Sequence, residues 1–268
     1  MIDFHSHIIP GIDDGADSFD MSIEMLKNSV NEGTKFICAT SHYIPGEDAA
    51  ENFNYRNEKG VESSIYDEKL LELTKLCSER DIDINILKGM ELYMSLELPE
   101  LYKEKRIWGL NNSQYLLIEL PMQQFPLYTE EVLYELRLLG AIPIIAHPER
   151  NFRIMKDRTL LESLVSQGTL AQVNAGSLTG SYGKDIKTFA EVLVKMNLVH
   201  MIGSDAHNDK KRTTKINGAL KIIEKNNNEL YNWIKENEFN IINGLSVELP
   251  QIKRKNKTSF FFGLFKKN

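Results

Sequence analysis

Short apolar runs alternate along the chain with segments whose apolar positions recur every three or four residues. The runs predict strands at Ile2–His7, Lys35–His42, Asp83–Leu92, Tyr115–Pro121, Ala141–His147, Ala171–Ala175 and Leu198–Ser204. Most are continuous rather than alternating, the pattern of strands buried on both faces of a parallel sheet. Ile23, Leu26 and Val30 share one face of a helix that starts near Asp17 and Ser18 and stops at Gly33. Thr129 is expected to cap a helix bearing Leu133 and Leu136 and ending at Gly140. Leu160, Leu161, Leu164 and Val165 precede Gly168, and Phe189, Leu193 and Met196 form another stripe. Strands alternating with helices in this way read as a β/α barrel or a doubly wound sheet. The segment Ile44–Gly60 carries Pro45, Gly46, Gly60 and several charges, and reads as a long polar loop that serves as a lid. No internal repeat is present.

Composition narrows the class. With 268 residues, 42% hydrophobic and 26% charged, the chain suits one α/β barrel and is too apolar for a disordered protein. No apolar stretch reaches about 18 residues, so no membrane-spanning helix is expected. The N-terminus runs straight into Asp3, His5 and His7, so no secretory leader is expected. Cys38 and Cys77 fit a reducing compartment, and a cytoplasmic protein is expected. The net charge of −6 is unevenly spread. Residues 250–268 hold six basic side chains and no acidic ones, leaving 26 basic against 38 acidic side chains in residues 1–249. An acidic body repels nucleic acid, so no nucleic-acid partner is expected. Residues 250–268 are expected to form a tail outside the 1–249 barrel. Basic residues there flank Phe260–Phe262, Leu264 and Phe265, a composition suited to weak contact with an anionic membrane surface at about 1 kcal/mol per cation.

The chemistry lies in five of the six histidines. His5 and His7 are two apart on a strand and point the same way. Asp13 and Asp14 follow in the next loop. His42 ends the second strand, Glu91 lies near the end of the third, and Glu119 is in Leu-Ile-Glu-Leu-Pro on the fourth. His147 closes the fifth, and Asp205 and His207 follow the last. In β/α barrels the loops after the strands build the active site. One histidine after a strand is usually a cap or a satisfied core residue. So many imidazoles and carboxylates together would be costly to desolvate unless cations neutralised them, which implies a polynuclear metal centre. Imidazole and carboxylate without thiolate suit Mn, Fe or Zn. His200, inside the last strand, is assigned no role.

In chain order, Met-Ile-Asp-Phe-His-Ser-His, Asp-Asp-Gly, Ala-Thr-Ser-His, Gly-Met-Glu, Leu-Ile-Glu, Ile-Ala-His-Pro-Glu-Arg and Gly-Ser-Asp-Ala-His-Asn resemble the polymerase-and-histidinol-phosphatase (PHP) superfamily. More closely, they resemble its bacterial manganese-dependent protein-tyrosine phosphatases of capsule and exopolysaccharide operons. The resemblance runs from Met1 to about Gly244. It implies a distorted seven-stranded β/α barrel in a single domain, with three metal ions, most simply Mn2+. Carried over, the first metal takes His5, His7, Glu91 and Asp205; the second shares Glu91 and adds Glu119 and His147; the third takes Asp14, His42 and His207. Asp13 stays open as a substitute for Asp14. Arg150 and Arg212 match positions where the family contacts substrate phosphate, a role that suits a guanidinium fork.

The resemblance implies hydrolysis of phosphotyrosine, with hydroxide generated at neutral pH by the metal ions. The group that protonates the leaving phenolate stays open. A thiol mechanism is excluded, because a Cys-x5-Arg loop would need arginine at position 44 or 83, which hold Ile44 and Asp83. The implied partner is the tyrosine-phosphorylated tail of a bacterial kinase controlling polysaccharide synthesis; self-association stays open. The rivals are a histidinol-phosphatase-like enzyme acting on a small metabolite, an amidohydrolase, and a degenerate barrel that only binds a phosphorylated partner.

Overall fold

The continuous apolar runs become parallel strands, most of them buried on both faces. The structure, a computed structural model, describes residues 1–54, 56–58 and 61–253. β1 (Ile2–Ser6) pairs with β2 (Phe36–Ala39), which is followed after Thr40 and Ser41 by β3 (His42–Tyr43). An antiparallel hairpin of β4 (Arg56–Glu58) and β5 (Val61–Ser63) comes next. The third barrel position is again in two pieces: β6 (Asn85–Lys88) lies against β2, and β7 (Glu91–Tyr93) against β3. β8 (Tyr115–Glu119), β9 (Ile142–Ala146), β10 (Leu170–Asn174) and β11 (Met201–Gly203) add in order, each pair parallel. Past β11 the chain returns to β1. The Asp205 N–H donates to His5 O at 2.8 Å and the His7 N–H to Ala206 O at 2.9 Å, which closes the ring. The result is a distorted seven-position β/α barrel in one α/β domain.

The helices are α1 (Phe19–Asn31), α2 (Ile65–Glu79), α3 (Leu98–Lys103), α4 (Thr129–Leu138), α5 (Phe152–Lys156), α6 (Thr159–Ser166), α7 (Ala175–Thr179), α8 (Lys184–Lys195), α9 (Asn217–Asn226) and α10 (Asn228–Ile242). Ser18 caps α1 as its position suggests, its hydroxyl accepting from Met21 N. Among the described residues no helix is long and apolar enough to cross a membrane.

Strand alternation explains why the site sits at one end. Tyr115, Leu117 and Glu119 share a face of β8, and Leu170, Gln172 and Asn174 share one of β10. The early members pack in an apolar cluster with Ile144 and Met201. The last ones are polar, so the same face changes from apolar core to chemistry along the strand direction.

Three expectations need correction or limits. Thr129 is the first residue of α4 rather than its cap: Tyr128 precedes it, and the Thr129 N–H is already bonded to Pro126 O at 3.0 Å. Ile44–Gly60 is not one polar loop. Asp48–Phe53 form a 3-10 helix, and Phe53 is buried against the rings of Tyr66 (5.0 Å) and Tyr43 (5.6 Å). That aromatic anchor ties the segment to the body where a polar reading foresaw a lid. The expected tail lies outside the described residues from position 254 onward. Its first residues are strapped down, with Gln251 O accepting from Asn197 and the Lys253 N–H donating to Met196 O.

Candidate metal centre

The polar ends of the strands meet at one mouth of the barrel. β1 delivers His5 and, just past its end, His7. β3 opens on His42, β7 opens on Glu91, and β8 ends on Glu119. His147 follows β9, and Asp205 and His207 follow β11. With Asp14 from the loop after β1, the fold brings all nine expected ligands together. They form four overlapping groups, each with its ligand atoms within 4.8 Å of one another: His5–His7–Asp205, His5–Glu91–His147, His42–Glu91–Glu119, and His7–Asp14–His42–His207. The partition differs from the one the resemblance implies. His7 joins the outer set, and His42 Nδ1 faces Glu91 and Glu119 at 3.1 and 3.9 Å.

The two adjacent aspartates separate. Asp14 is exposed at the mouth, its Oδ1 3.3 Å from His207 Nε2 and 3.6 Å from His42 Nε2. Asp13 turns inward, where Oδ2 accepts from His7 Nδ1 at 2.7 Å and from His42 N at 2.9 Å. Gly15 makes this loop possible, since a Cβ there would lie 2.3 Å from His7 O.

A directed chain of hydrogen bonds fixes the histidines. A carboxylate can only accept, so Asn174 Nδ2 donates to Asp205 Oδ2 at 2.7 Å. Asn174 Oδ1 must then accept from Gln172 Nε2 at 2.9 Å, which leaves Gln172 Oε1 to accept from His5 Nδ1 at 2.9 Å. His5 and His7 therefore both carry their proton on Nδ1. Their Nε2 atoms face each other at 3.1 Å and face Glu91 Oε2 at 3.1 and 3.2 Å. Bare acceptors converging at such distances require positive charge between them. Metal ligation by Nε2, with the outer nitrogen donating to a carboxylate or amide, meets that requirement. The residues fit a metal.

The titration pattern of the bare protein says the same. Burial opposes charge on His7, but Asp13, Asp205 and Glu91 outweigh it and hold its imidazole well above the usual range. Burial also opposes charge on His147, yet Glu91 raises it to about 9. Burial and the neighbouring Glu91 push Glu119 up to about 7. Glu91 itself stays well below the usual carboxylate range, because its histidine partners overcome the burial penalty. Protons here occupy the electrostatic role of cations, and ligand binding by a metal would displace them.

The arginines reach the same floor from the rim. Arg150 Nη1 lies 2.7 Å from Asp205 Oδ2, and Arg212 Nη2 lies 2.6 Å from Asp205 Oδ1. Tyr182 packs beneath Arg150, with 4.8 Å between its ring centroid and the guanidinium carbon. His200 stays apart from the cluster. It is buried, accepts from Ala171 N through Nδ1 at 3.0 Å, and is pushed down to about 3 by burial.

Several residues of this site escape a search for ligands. Gln172 and Asn174 belong to the barrel strand that contributes no ligand candidate. Glu149 Oε1 braces Asn174 N at 2.9 Å and the Ser177 hydroxyl at 2.6 Å. Asp3 is wholly buried and accepts from Ser204 N at 2.8 Å, beside the turn that presents Asp205. The available signal was two polar residues, two apart, inside a strand otherwise apolar.

Comparisons with known proteins agree with this geometry. The family described as capsular polysaccharide synthesis, CpsB/CapC, matches residues 1–243. Tyrosine-protein phosphatase YwqE of Bacillus subtilis (strain 168) is 37% identical over 265 residues, spanning 97% of this chain and 100% of that protein. Tyrosine-protein phosphatase CpsB of Streptococcus pneumoniae is 31% identical over 236 residues, 84% of this chain and 90% of that one. Among solved structures, a chain from the work on YwqE and CpsB, called unique metal-dependent tyrosine phosphatases, superposes with a TM-score of 0.83. It is 37% identical, and the match covers 95% of this chain and 100% of that chain. The histidinol phosphate phosphatase of Lactococcus lactis shares the fold at a TM-score of 0.51 and 18% identity, with 84% and 92% of the two chains covered.

Proposed function

Because this chain belongs to the CpsB/CapC family of capsular polysaccharide synthesis, we propose that it is a metal-dependent protein-tyrosine phosphatase acting on the phosphorylated tail of a bacterial tyrosine kinase. The observation that carries the reading is the convergence of bare imidazole nitrogens on Glu91, directly beneath two arginines paired to Asp205. In this reading His5, His7, Asp14, His42, Glu91, Glu119, His147, Asp205 and His207 hold the metal ions. Manganese is the ion this reading takes, with Fe or Zn as alternatives; imidazole-rich sets suit all three better than Mg, which prefers oxygen and dehydrates reluctantly. Bound ions supply Lewis-acid charge and an activated water.

The chain's own residues do the rest. Arg150 and Arg212 each touch Asp205 through one terminal nitrogen, so further N–H donors on each fork remain for phosphoryl oxygens. Held there, a phosphoryl group sits over the acceptor cluster with its equatorial charge met by two guanidiniums. Asp13 and Gln172 hold His7 and His5 in the tautomer that ligation needs. A cysteine route finds no support: burial raises the Cys38 thiol, so it is not a thiolate at neutral pH. Function at the cytoplasmic face of the membrane, beside a membrane-bound kinase, is part of the same reading.

The test is phosphate release from a tyrosine-phosphorylated peptide by chelated protein reloaded with Mn, Mg or Zn, with histidinol phosphate as competitor substrate. Manganese-dependent release that favours the peptide is expected. Full activity of protein shown by elemental analysis to be metal-free would refute the mechanism. A strong preference for histidinol phosphate would replace the substrate.

A further inference from the structure

Beside the metal centre, on the Arg212 side, a cavity of about 490 Å³ opens between the loops that follow β10 and β11. Lys211, Arg212 and Lys215 line it together with Tyr182 and Ser204, and Glu32 is the only acidic residue among its described lining. The loop that carries the cations is built rather than incidental. Asn208 Oδ1 accepts from the backbone N–H groups of Lys210, Lys211 and Arg212, and Arg212 O accepts from His207 N and Asn208 N. Arg212 belongs to both spaces: its terminal nitrogen is on Asp205, while its buried Nε has no hydrogen-bond partner among the described residues. No salt bridge among the described residues engages Lys211 or Lys215. Elsewhere residues 1–249 are strongly acidic, so this is a local reversal of charge next to the reacting centre.

We propose that this cavity receives an acidic side chain flanking the phosphotyrosine, so that the enzyme selects phosphotyrosine peptides with Asp or Glu beside the target. The inference rests on the phosphatase reading above. A phosphoryl group gripped by Arg212 places its neighbouring residues over the cavity rim, since an extended chain advances only about 3.3–3.6 Å per residue. A carboxylate there meets two uncommitted ammonium groups. In an otherwise acidic protein, that pair of contacts decides which peptides stay bound long enough to react.

The experiment compares manganese-loaded full-length protein with a Lys211→Ala/Lys215→Ala double variant at low salt. The substrates are p-nitrophenyl phosphate, a phosphotyrosine peptide with Glu on both sides of the target, and the same peptide with Gln in place of Glu. The parent is expected to favour the Glu peptide by about three- to tenfold in kcat/KM through a lower KM, the scale of two solvent-exposed ion pairs. The double variant should lose that preference while its p-nitrophenyl phosphate kinetics stay unchanged. Activity on p-nitrophenyl phosphate with equal rates on the two peptides overturns this inference alone, as does a preference that survives in the double variant. A metal-loaded parent inactive on every phosphotyrosine substrate overturns the phosphatase reading, and this inference with it.

Discussion

Replacing Gln172 by Leu should weaken metal binding without touching any ligand. Gln172 Oε1 is the acceptor that keeps the proton of His5 on Nδ1, at 2.9 Å, and its Nε2 extends the same relay to Asn174 and Asp205. In the Leu variant His5 has two choices. It can leave Nδ1–H buried and unpaired, or move the proton to Nε2 and lose the ligating lone pair. An unsatisfied buried donor costs about 1–3 kcal/mol, which is roughly 5- to 150-fold in affinity and brackets the loss typical of outer partners of metal-bound histidines. Gln172→Glu restores the acceptor for His5 but sets an oxygen against Asn174 Oδ1, so it should fall between the parent and the Leu variant. The assay is titration of Mn2+ into chelated protein, with free ion followed by electron paramagnetic resonance and folding checked by thermal melting. A Leu variant that melts like the parent and binds Mn2+ with the parent's affinity would refute the relay.

Three further outcomes follow from particular contacts. Arg150→Ala should lower turnover by about 10²–10³ while manganese content is unchanged, whereas His5→Ala should lose both; an Arg150→Ala enzyme as fast as the parent at saturating substrate contradicts the phosphate-holding role. Gly203→Ala should cost about 1–3 kcal/mol and release metal, because a Cβ there would lie 2.4 Å from His5 Cβ and 2.8 Å from Gln172 Nε2; unchanged melting and metal content would disprove the close approach. The buried His200 titrates near 3 when folded and near 6.5 when unfolded, so below about pH 6.5 only the unfolded chain takes up its proton and stability falls by about 1.4 kcal/mol per pH unit. At pH 5 a His200→Gln variant, which keeps an acceptor for Ala171 N, should be spared about 2 kcal/mol of the parent's loss relative to pH 8, and urea unfolding at the two pH values measures it.

What the sequence made legible was whatever repeats or concentrates. Strands buried on both faces read as unbroken apolar runs, so all seven barrel positions are visible in the chain. Ligands after strands stand out by accumulation: one polar residue at the end of an apolar run is usually a cap, but imidazoles and carboxylates after strand upon strand are too costly to desolvate for that reading. The breaks at Thr40–Ser41 and Gly89–Met90 were not visible, since pairing shifts there without any loss of hydrophobicity. The segment from Ile44 misled for the opposite reason. One residue, Phe53, decides whether it folds back, and its burial depends on Tyr43 and Tyr66, which are adjacent only in space. Asp13 and Asp14 could not be told apart for a related reason. Their roles follow from which side of the turn faces His7, and Gly15 sets that turn.

Gln172 shows why the supporting shell is harder to read than the ligands. A ligand is chosen for its own chemistry, whereas Gln172 matters for the direction in which it passes a proton constraint from Asp205 to His5. The same shell answers a second problem. His147 and Asp205 both have left-handed backbones, with φ of 32° and 51°, at the points where the chain must turn a side chain back over the barrel mouth. Such conformations cost of order 1–3 kcal/mol each and persist only where their surroundings enforce them. Asp3 fixes the turn before Asp205 through Ser204 N, and Gln172 Oε1 lies 3.4 Å from His147 N. Gln172, which sets the tautomer of His5, thus also reaches the strained backbone at His147, while Asp3 holds the turn before the other. Binding a cation and keeping the ligands in place are tasks of one hydrogen-bonded layer, which is why a substitution in it should reach metal affinity before it reaches the fold.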